Sequence, residues 1–233
     1  TYSDIEWVVI DGNSSDETVA ILRGNEDVVS YWLSEPDRGI YDAWNKGLRH
    51  ANGDWICFLG ADDFLWSEDA IAQMAEILKT LSMTTQIAYG QVVLLGLNDV
   101  PLYTVGQPYR QILGDAVDVM DLPPHPGLMH RRAVFDKRGG FDENFRIAGD
   151  TELLLRELQR APACFIPGVV IAGMRQGGIS SKPSSILKSL QELRRIQRKH
   201  GIRWPGVALT LAGLRAIVRW VLWSVMGERL TRR

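Results

Sequence analysis

The chain has 233 residues, 45% hydrophobic and 23% charged, which predicts a packed core and excludes wholesale disorder. A formal net charge of -2 speaks against a general nucleic-acid binder. The two cysteines, Cys57 and Cys164, lie in apolar runs with neither zinc spacing nor a disulfide framework, which fits a reducing compartment.

The first residue is Thr1, and "IEWVVI" (5–10) follows almost at once as an unbroken apolar run, read as a buried strand. No signal peptide precedes it, and the chain is expected to be cut at its N-terminus. "DGNSSDET" is a turn-forming cluster with N-cap candidates for a helix from about Glu17 to Arg23. "VVSYWLSE" is a second strand. Ile40, Ala43, Trp44 and Leu48 recur at helical spacing between Gly39 and the turn "NGD", and Trp44 is read as core. "WICFL" (55–59) is another buried strand, and Ser67 is expected to cap a helix carrying Ile71, Met74, Ile77, Leu78 and Leu81.

The middle changes character. "QIAYGQVVLLG" and "PLYTVG" read as longer strands, "DLPPHPGLMH" as a loop, and "RRAVFDKRGGFDENF" as a short helix ended by Gly139 and Gly140. "DTELLLRELQRA" is a helix with Asp150 at its start. Strands alternating with helices predict a mostly parallel α/β sheet flanked by helices.

Residues 1–185 are expected to form one domain and 186–233 a tail. Between Lys188 and Arg203 six basic residues, Lys188, Arg194, Arg195, Arg198, Lys199 and Arg203, stand against one acid, Glu192. Residues 207–226 are long enough to span a bilayer. Arg215 and Arg219 near their centre cost ~2.5–3.5 kcal/mol each on insertion scales, however. With Trp204, Trp220 and Trp223 they suit an interfacial helix; a helix closing the domain's own core is the alternative. An anionic membrane surface is therefore an expected partner.

Ligands of open α/β sheets bind beyond the carboxyl ends of strands. Asp11 ends one such run, and Asp62 and Asp63 end another. Gathered carboxylates repel unless a cation neutralises them, and hard oxygen ligands suit Mg2+ or Mn2+ with a substrate diphosphate. A solvated turn is the plain alternative for the pair. The glycine-rich phosphate loops G-x-x-x-x-G-K-[ST] and G-x-G-x-x-G are absent, so a nucleotide would be held by metal and side chains.

Three stretches carry a resemblance: "VVIDGNSSDET", "SEPDRGIYDAWNKGLRHANGDWICFLGADD" and "FRIAGDTELLLREL". Over residues 4–180 the chain resembles the family 2 glycosyltransferases of GT-A fold, notably bacterial enzymes of exopolysaccharide and O-antigen synthesis. The resemblance implies a nucleotide-sugar donor and a divalent metal. It implies that Asp11 lies in the nucleoside-binding segment, with Ser14 and Asp16 following it as donor contacts. Asp37, Arg38 and Gly39 match the loop lining the donor pocket, with Asn45 and Lys46 on the helix behind. Asp62 and Asp63 fall at the metal and ribose contacts, Asp150 at the catalytic base and His125 near the acceptor.

Departures accompany the match. The opening strand of the family is absent, Asp11 is followed by Gly12 rather than a second acid, and Gly60 stands at the first acid of the D-x-D pattern. Several residues keep a plainer reading. Asp150 could N-cap its helix, Arg38 could pair with Asp42, His125 could be a loop histidine, and "RQGGISS" (175–181) could be a lid or a turn. No Q-x-x-R-W follows the base segment, so one sugar per encounter is expected. The reading is an inverting, metal-dependent transferase using a lipid-linked or saccharide acceptor, peripheral at the cytoplasmic face of a bacterial plasma membrane. The rivals are a nucleotidyltransferase and a non-catalytic sugar-binding or scaffold remnant.

Overall fold

The structure is a computed structural model that describes residues 1–108, 122–176, 183–202, 210–211 and 213–215. Strands β1 (Val8–Asp11) and β2 (Tyr31–Ser34) form a two-stranded parallel sheet, connected through helix α1 (Thr18–Arg23). Their register sets Asp11 opposite Ser34, so an acid and a hydroxyl end the strands side by side. Helix α2 (Ile40–Leu48) starts after Gly39, whose φ of 126° favours glycine.

The larger sheet is built from β3 (Trp55–Ile56), β4 (Phe64–Leu65), β5 (Ile87–Leu95), β6 (Pro101–Val105), β7 (Leu128–Arg131) and β8 (Cys164–Arg175). Its order is β3-β7-β5-β8-β4, with β6 beside β5. Among the described residues only β5–β8 pair in parallel in this sheet; β3–β7, β5–β7, β5–β6 and β4–β8 are antiparallel. The α/β class stands with a mixed sheet. Its helices are α3 (Ala70–Leu78), α4 (Ala133–Arg138), α5 (Gly149–Leu158) and α6 (Pro183–Lys199).

Three elements differ from the sequence reading. Part of the expected loop "DLPPHPGLMH" is strand β7, central in the sheet, with Leu128 and Met129 buried. The prolines ahead of it hide a strand whose apolar run is only two residues long. Conversely, the ladder of "WICFL" ends at Ile56, opposite His130. The β7 residues that follow in register, Met129 and Leu128, pair with Ala88 and Tyr89 of β5 on their other side. Ser67 supplies a carbonyl to the Ala70 N–H rather than a side-chain cap, and α3 begins after Asp69.

Two apolar layers hold the sheet. Met74 and Leu78 of α3 pack on Ala88, Val92, Ile171 and Ala172 of β5 and β8. On the other side Tyr41, Phe58, Phe141, Phe145, Leu153 and Leu155 form an aromatic-rich core that Leu193 and Ile196 of α6 join. Helix α6 thus crosses the expected boundary at 185/186 and packs with the body before it. Part of the basic run turns inward as well: Lys199 pairs with Asp142 and Glu152, both at 2.9 Å, and Arg195 lies over the Phe145 ring. The helical residues described near the C-terminus include exposed Leu211, Leu214 and Arg215. Among the described residues no helix is long and apolar enough to cross a membrane. Trp204, Arg219, Trp220 and Trp223, and residues 177–181 of the expected lid, lie outside the described residues.

Where β5 changes register against β8, a Cβ on Gly90 would stand 2.5 Å from the Val169 carbonyl oxygen. Backbone cannot retreat as a flexible side chain does. Gly90→Ala is expected to destabilise the protein by about 1–3 kcal/mol, measured by denaturant unfolding.

Candidate active site

The first group of residues gathers at the ends of β1 and β2. Asp11 accepts hydrogen bonds from the Ser14 N–H at 3.0 Å, the Ser14 hydroxyl at 2.5 Å and the Ser34 hydroxyl at 2.6 Å. Burial works against its charge, but these donors outweigh it and hold its pKa below the usual range. Asp37 closes on the same turn: a Cβ on Gly12 would meet its Oδ2 at 2.6 Å. The bare Cα of Gly12 is what admits Asp37. Asp16 is exposed and accepts from the N–H and hydroxyl of Thr18 at the start of α1.

The turn 35–39 is fastened to α2 from beneath. Lys46, buried at 6% exposure, donates to the Pro36 carbonyl at 2.9 Å and pairs with Glu35 at 2.8 Å. Asp42 accepts from the N–H and guanidinium of Arg38, which hold its pKa down at about 2. Arg38 itself is largely exposed and also pairs with Glu143 at 2.5 Å. Gly39 faces Arg146, whose guanidinium would lie 3.1 Å from a Cβ there. Asn45 trades bonds with the backbone of Phe141 and donates to Glu143. Asn45 and Lys46 therefore serve as frame behind the loop.

Asp150 sits in the first turn of α5 and is part-exposed. Its Oδ1 accepts from its neighbour's N–H, that of Thr151, at 2.8 Å and from the Tyr41 hydroxyl at 3.1 Å. No side-chain bond caps this helix, so the carboxylate does not act as its N-cap. Burial raises its pKa, while Thr151 and Tyr41 oppose the rise. Through Tyr41, Arg38 and Gly39, the loop 37–39 and the Asp150 segment become neighbours.

Asp62 and Asp63 form a second set. Both carboxylates fold over Gly60: a Cβ there would meet Asp63 Oδ2 at 3.0 Å and Asp62 Oδ1 at 3.1 Å. The glycine at the first D-x-D position thus makes room for the acids after it. Burial first, and then the Asp62 charge, raise the Asp63 pKa. Arg175, at the end of β8, donates to the Asp62 carbonyl at 3.0 Å and pairs with Asp99 at 2.6 Å. Among the described residues no hydrogen bond or ion pair joins this set to Asp11 or Asp150, and no cluster of three or more His, Cys, Asp or Glu could hold a metal.

His125 stands apart from both groups. It is buried, stacked on Trp44 with centroids 4.8 Å apart, beside Phe58, Phe141 and His130, and burial pushes its pKa down to about 3. The ring faces the aromatic core. Trp44 packs against that core, as its spacing predicts. The sequence reading missed Tyr41, Arg175 and Glu192. Arg175 could have been noticed as the cation closing a long strand. Nothing local marks Glu192, which lies on α6 yet accepts backbone bonds just ahead of Asp150.

Residues 1–134 match the model of glycosyl transferase family 2. An uncharacterised glycosyltransferase of Mycobacterium tuberculosis is 33% identical over 198 residues, covering 84% of this chain and 74% of the relative. A PGL/p-HBAD biosynthesis glycosyltransferase of Mycobacterium bovis is 28% identical over 239 residues, covering 94% and 87%. Among solved structures, S. aureus TarS with UDP-GlcNAc aligns with TM-score 0.59 and 15% identity over 94% of this chain and 64% of that one. The mannosyltransferase PcManGT of Pyrobaculum calidifontis, with GDP-Man and Mn2+, aligns with TM-score 0.59 and 18% identity over 97% and 68%. The chain thus spans less than two thirds of the TarS chain, and at these identities the likeness is one of fold, the GT-A fold. The family match covers more than half of the sequence and includes both strand-end acid groups, so this chain belongs to glycosyltransferase family 2.

Proposed function

We propose that the chain is an inverting, metal-dependent glycosyltransferase. It moves one sugar from a nucleotide-diphosphate sugar to a hydroxyl of a lipid-linked or saccharide acceptor in bacterial surface polysaccharide synthesis. The observation that carries this reading is Asp150: a part-exposed carboxylate with a raised pKa, oriented by Tyr41 and held beside the loop 37–39. Relatives named as glycosyltransferases, and solved structures holding UDP-GlcNAc or GDP-Man, support the donor class.

In this reading Asp11, with Ser14 and Asp16, takes the nucleoside side of the donor, and Asp37, Arg38 and Gly39 line its diphosphate. Asp62 and Asp63 would hold Mg2+ or Mn2+. The fit rests on two carboxylates folded over one glycine, with the more buried of them raised in pKa, a pairing that a cation relieves. Mg2+ commonly binds through one or two carboxylates plus substrate phosphates, so two protein ligands suffice. When bound, such an ion supplies Lewis-acid stabilisation of the charge on a diphosphate leaving group.

Asp150 takes the proton of the acceptor hydroxyl as its oxygen attacks the anomeric carbon. The bond from that carbon to the diphosphate breaks in the same displacement, which inverts the centre. Tyr41 keeps the carboxylate oriented through Oδ1, and its own proton stays in place because burial and Asp150 raise the phenol's pKa. The exposed cations of α6, among them Lys188 and Arg198, support a peripheral position at the cytoplasmic face of the plasma membrane. Each adds about 1 kcal/mol of attraction near anionic lipid.

A thermal-shift screen of UDP-, GDP- and dTDP-sugars, with and without Mn2+, is expected to give a shift only where donor and metal are both present. Asp150→Asn is expected to keep that shift while release of nucleoside diphosphate falls by about 10²–10⁴-fold; retained turnover removes the assignment. Because the Asp150 pKa is raised, the acid limb of turnover should lie above the ordinary aspartate range of about 4. The Tyr41 hydroxyl stabilises the ionised form, so Tyr41→Phe raises that pKa further and moves the acid limb to higher pH. A pH–rate profile that is unmoved, or moved downward, contradicts the contact.

A further inference from the structure

Three backbone N–H groups lead into α5 from a segment with no strand partner. All three end on one carboxylate. The Arg146 N–H donates to Glu192 Oε1 at 2.9 Å, and those of Ile147 and Ala148 donate to Oε2 at 2.8 and 3.0 Å. Glu192 lies on α6 and is 7% exposed. A carboxylate buried to that degree is tolerated only with full hydrogen bonding, and bonds to an ionised acceptor are roughly twice as strong as neutral ones.

The same segment is held from its other face. The Tyr41 hydroxyl lies 2.7 Å from the Ile147 carbonyl oxygen and 3.1 Å from Asp150 Oδ1. The carboxamide of Asn45 fixes the chain just upstream, at Phe141. Helix α6 is itself seated in the core through Leu193 and Ile196, beside Phe145 and Leu155. Arg146, Lys188 and Arg195 share with Glu192 the lining of a cavity of about 400 Å³. The path from Glu192 to Asp150 is therefore short: one carboxylate, three amides, and the first turn of α5.

We propose that Glu192 is a positioning residue for the transfer reaction, fixing Asp150 through the backbone of residues 146–148. This rests on the reading of Asp150 as the base. A packing role alone would make Glu192 matter to folding and not to the chemical step. The positioning role makes turnover depend on the three captured N–H groups.

The test uses the full chain with Glu192→Gln, which keeps the shape but turns one acceptor oxygen into a donor facing an N–H. Three quantities are read: exchange of the amide hydrogens of residues 146–148, kcat and donor KM for nucleotide-sugar hydrolysis with water as acceptor, and the melting temperature. The expected result is exchange at least tenfold faster, kcat at least tenfold lower and donor KM within twofold of the parent. Glu192→Ala should fall further and recover with added formate, which returns a carboxylate to the gap. Glu192→Asp, charged but one methylene short, should give an intermediate kcat and takes the place of Gln if that variant does not fold.

Unchanged exchange overturns the inference, as does faster exchange with unchanged kcat. A donor KM that rises as far as kcat falls also overturns it, because that marks a general loss of structure. Asp150→Asn separates the two readings. If it is inactive while Glu192→Gln turns over normally, the base stands and the positioning role falls. If Asp150→Asn retains turnover, the base reading itself fails.

Discussion

Helix α2 presents two polar rows to two different loops, and the geometry of the candidate site depends on both. Residues four apart lie on one face of a helix. Asp42 and Lys46 form one row, directed at the turn 35–39, where they bind Arg38, Glu35 and the Pro36 carbonyl. Tyr41 and Asn45 form the other, directed at 141–150, where they bind Phe141, Glu143, Ile147 and Asp150. Asp42 and Lys46 are both nearly buried, and leaving either unpaired there would be expensive. Those bonds set the turn 35–39 and the segment 141–150 at a fixed offset from one nine-residue helix.

Glycines decide where the carboxylates can stand. Gly12 admits Asp37 against the turn that follows Asp11, and Gly60 admits both Asp62 and Asp63 over its Cα. In each case a side chain at the glycine would collide with a carboxylate. The missing side chain makes room for a neighbouring acid and its negative charge. Arg175 answers that charge from the end of β8, bonded to the Asp62 carbonyl and paired with Asp99. A cation entering the turn would share it with a guanidinium already in place.

What the sequence discloses follows from how local each feature is. Helix α2 announces itself through apolar spacing and a bounding glycine, and Asp11 through an apolar run ending in a turn, although Ile5 and Trp7 of that run are exposed and only Val8–Asp11 form the strand. Strand β7 does not, because prolines precede it and its apolar run is two residues long. The strand expected over 55–59 stops at Ile56, although β7 runs on to Leu128, and nothing in its apolar run marks that end. His125 sits in a proline-rich stretch that looks exposed, and only the aromatic packing of Trp44, Phe58 and Phe141 buries it. Glu192 is the extreme case: a lone acid in a basic run, whose three partners are backbone groups more than forty residues earlier.

The basic run on α6 resolves into two populations with different physical roles. Lys199 reaches Asp142 and Glu152, Arg194 bonds the Ile202 carbonyl, and Arg195 covers Phe145; these charges seat the helix on the body. Lys188 and Arg198 remain exposed. Surface attraction to lipid adds up over the free cations alone, since a charge already paired at contact distance has little left to offer at long range. A helix that looks like a membrane-binding tail in composition is thus first a structural brace, with Glu192 at its inner face and a reduced positive surface outside. Because both faces belong to one rigid helix packed in the core, any contact made on its outer face would be made close to the segment that carries Asp150.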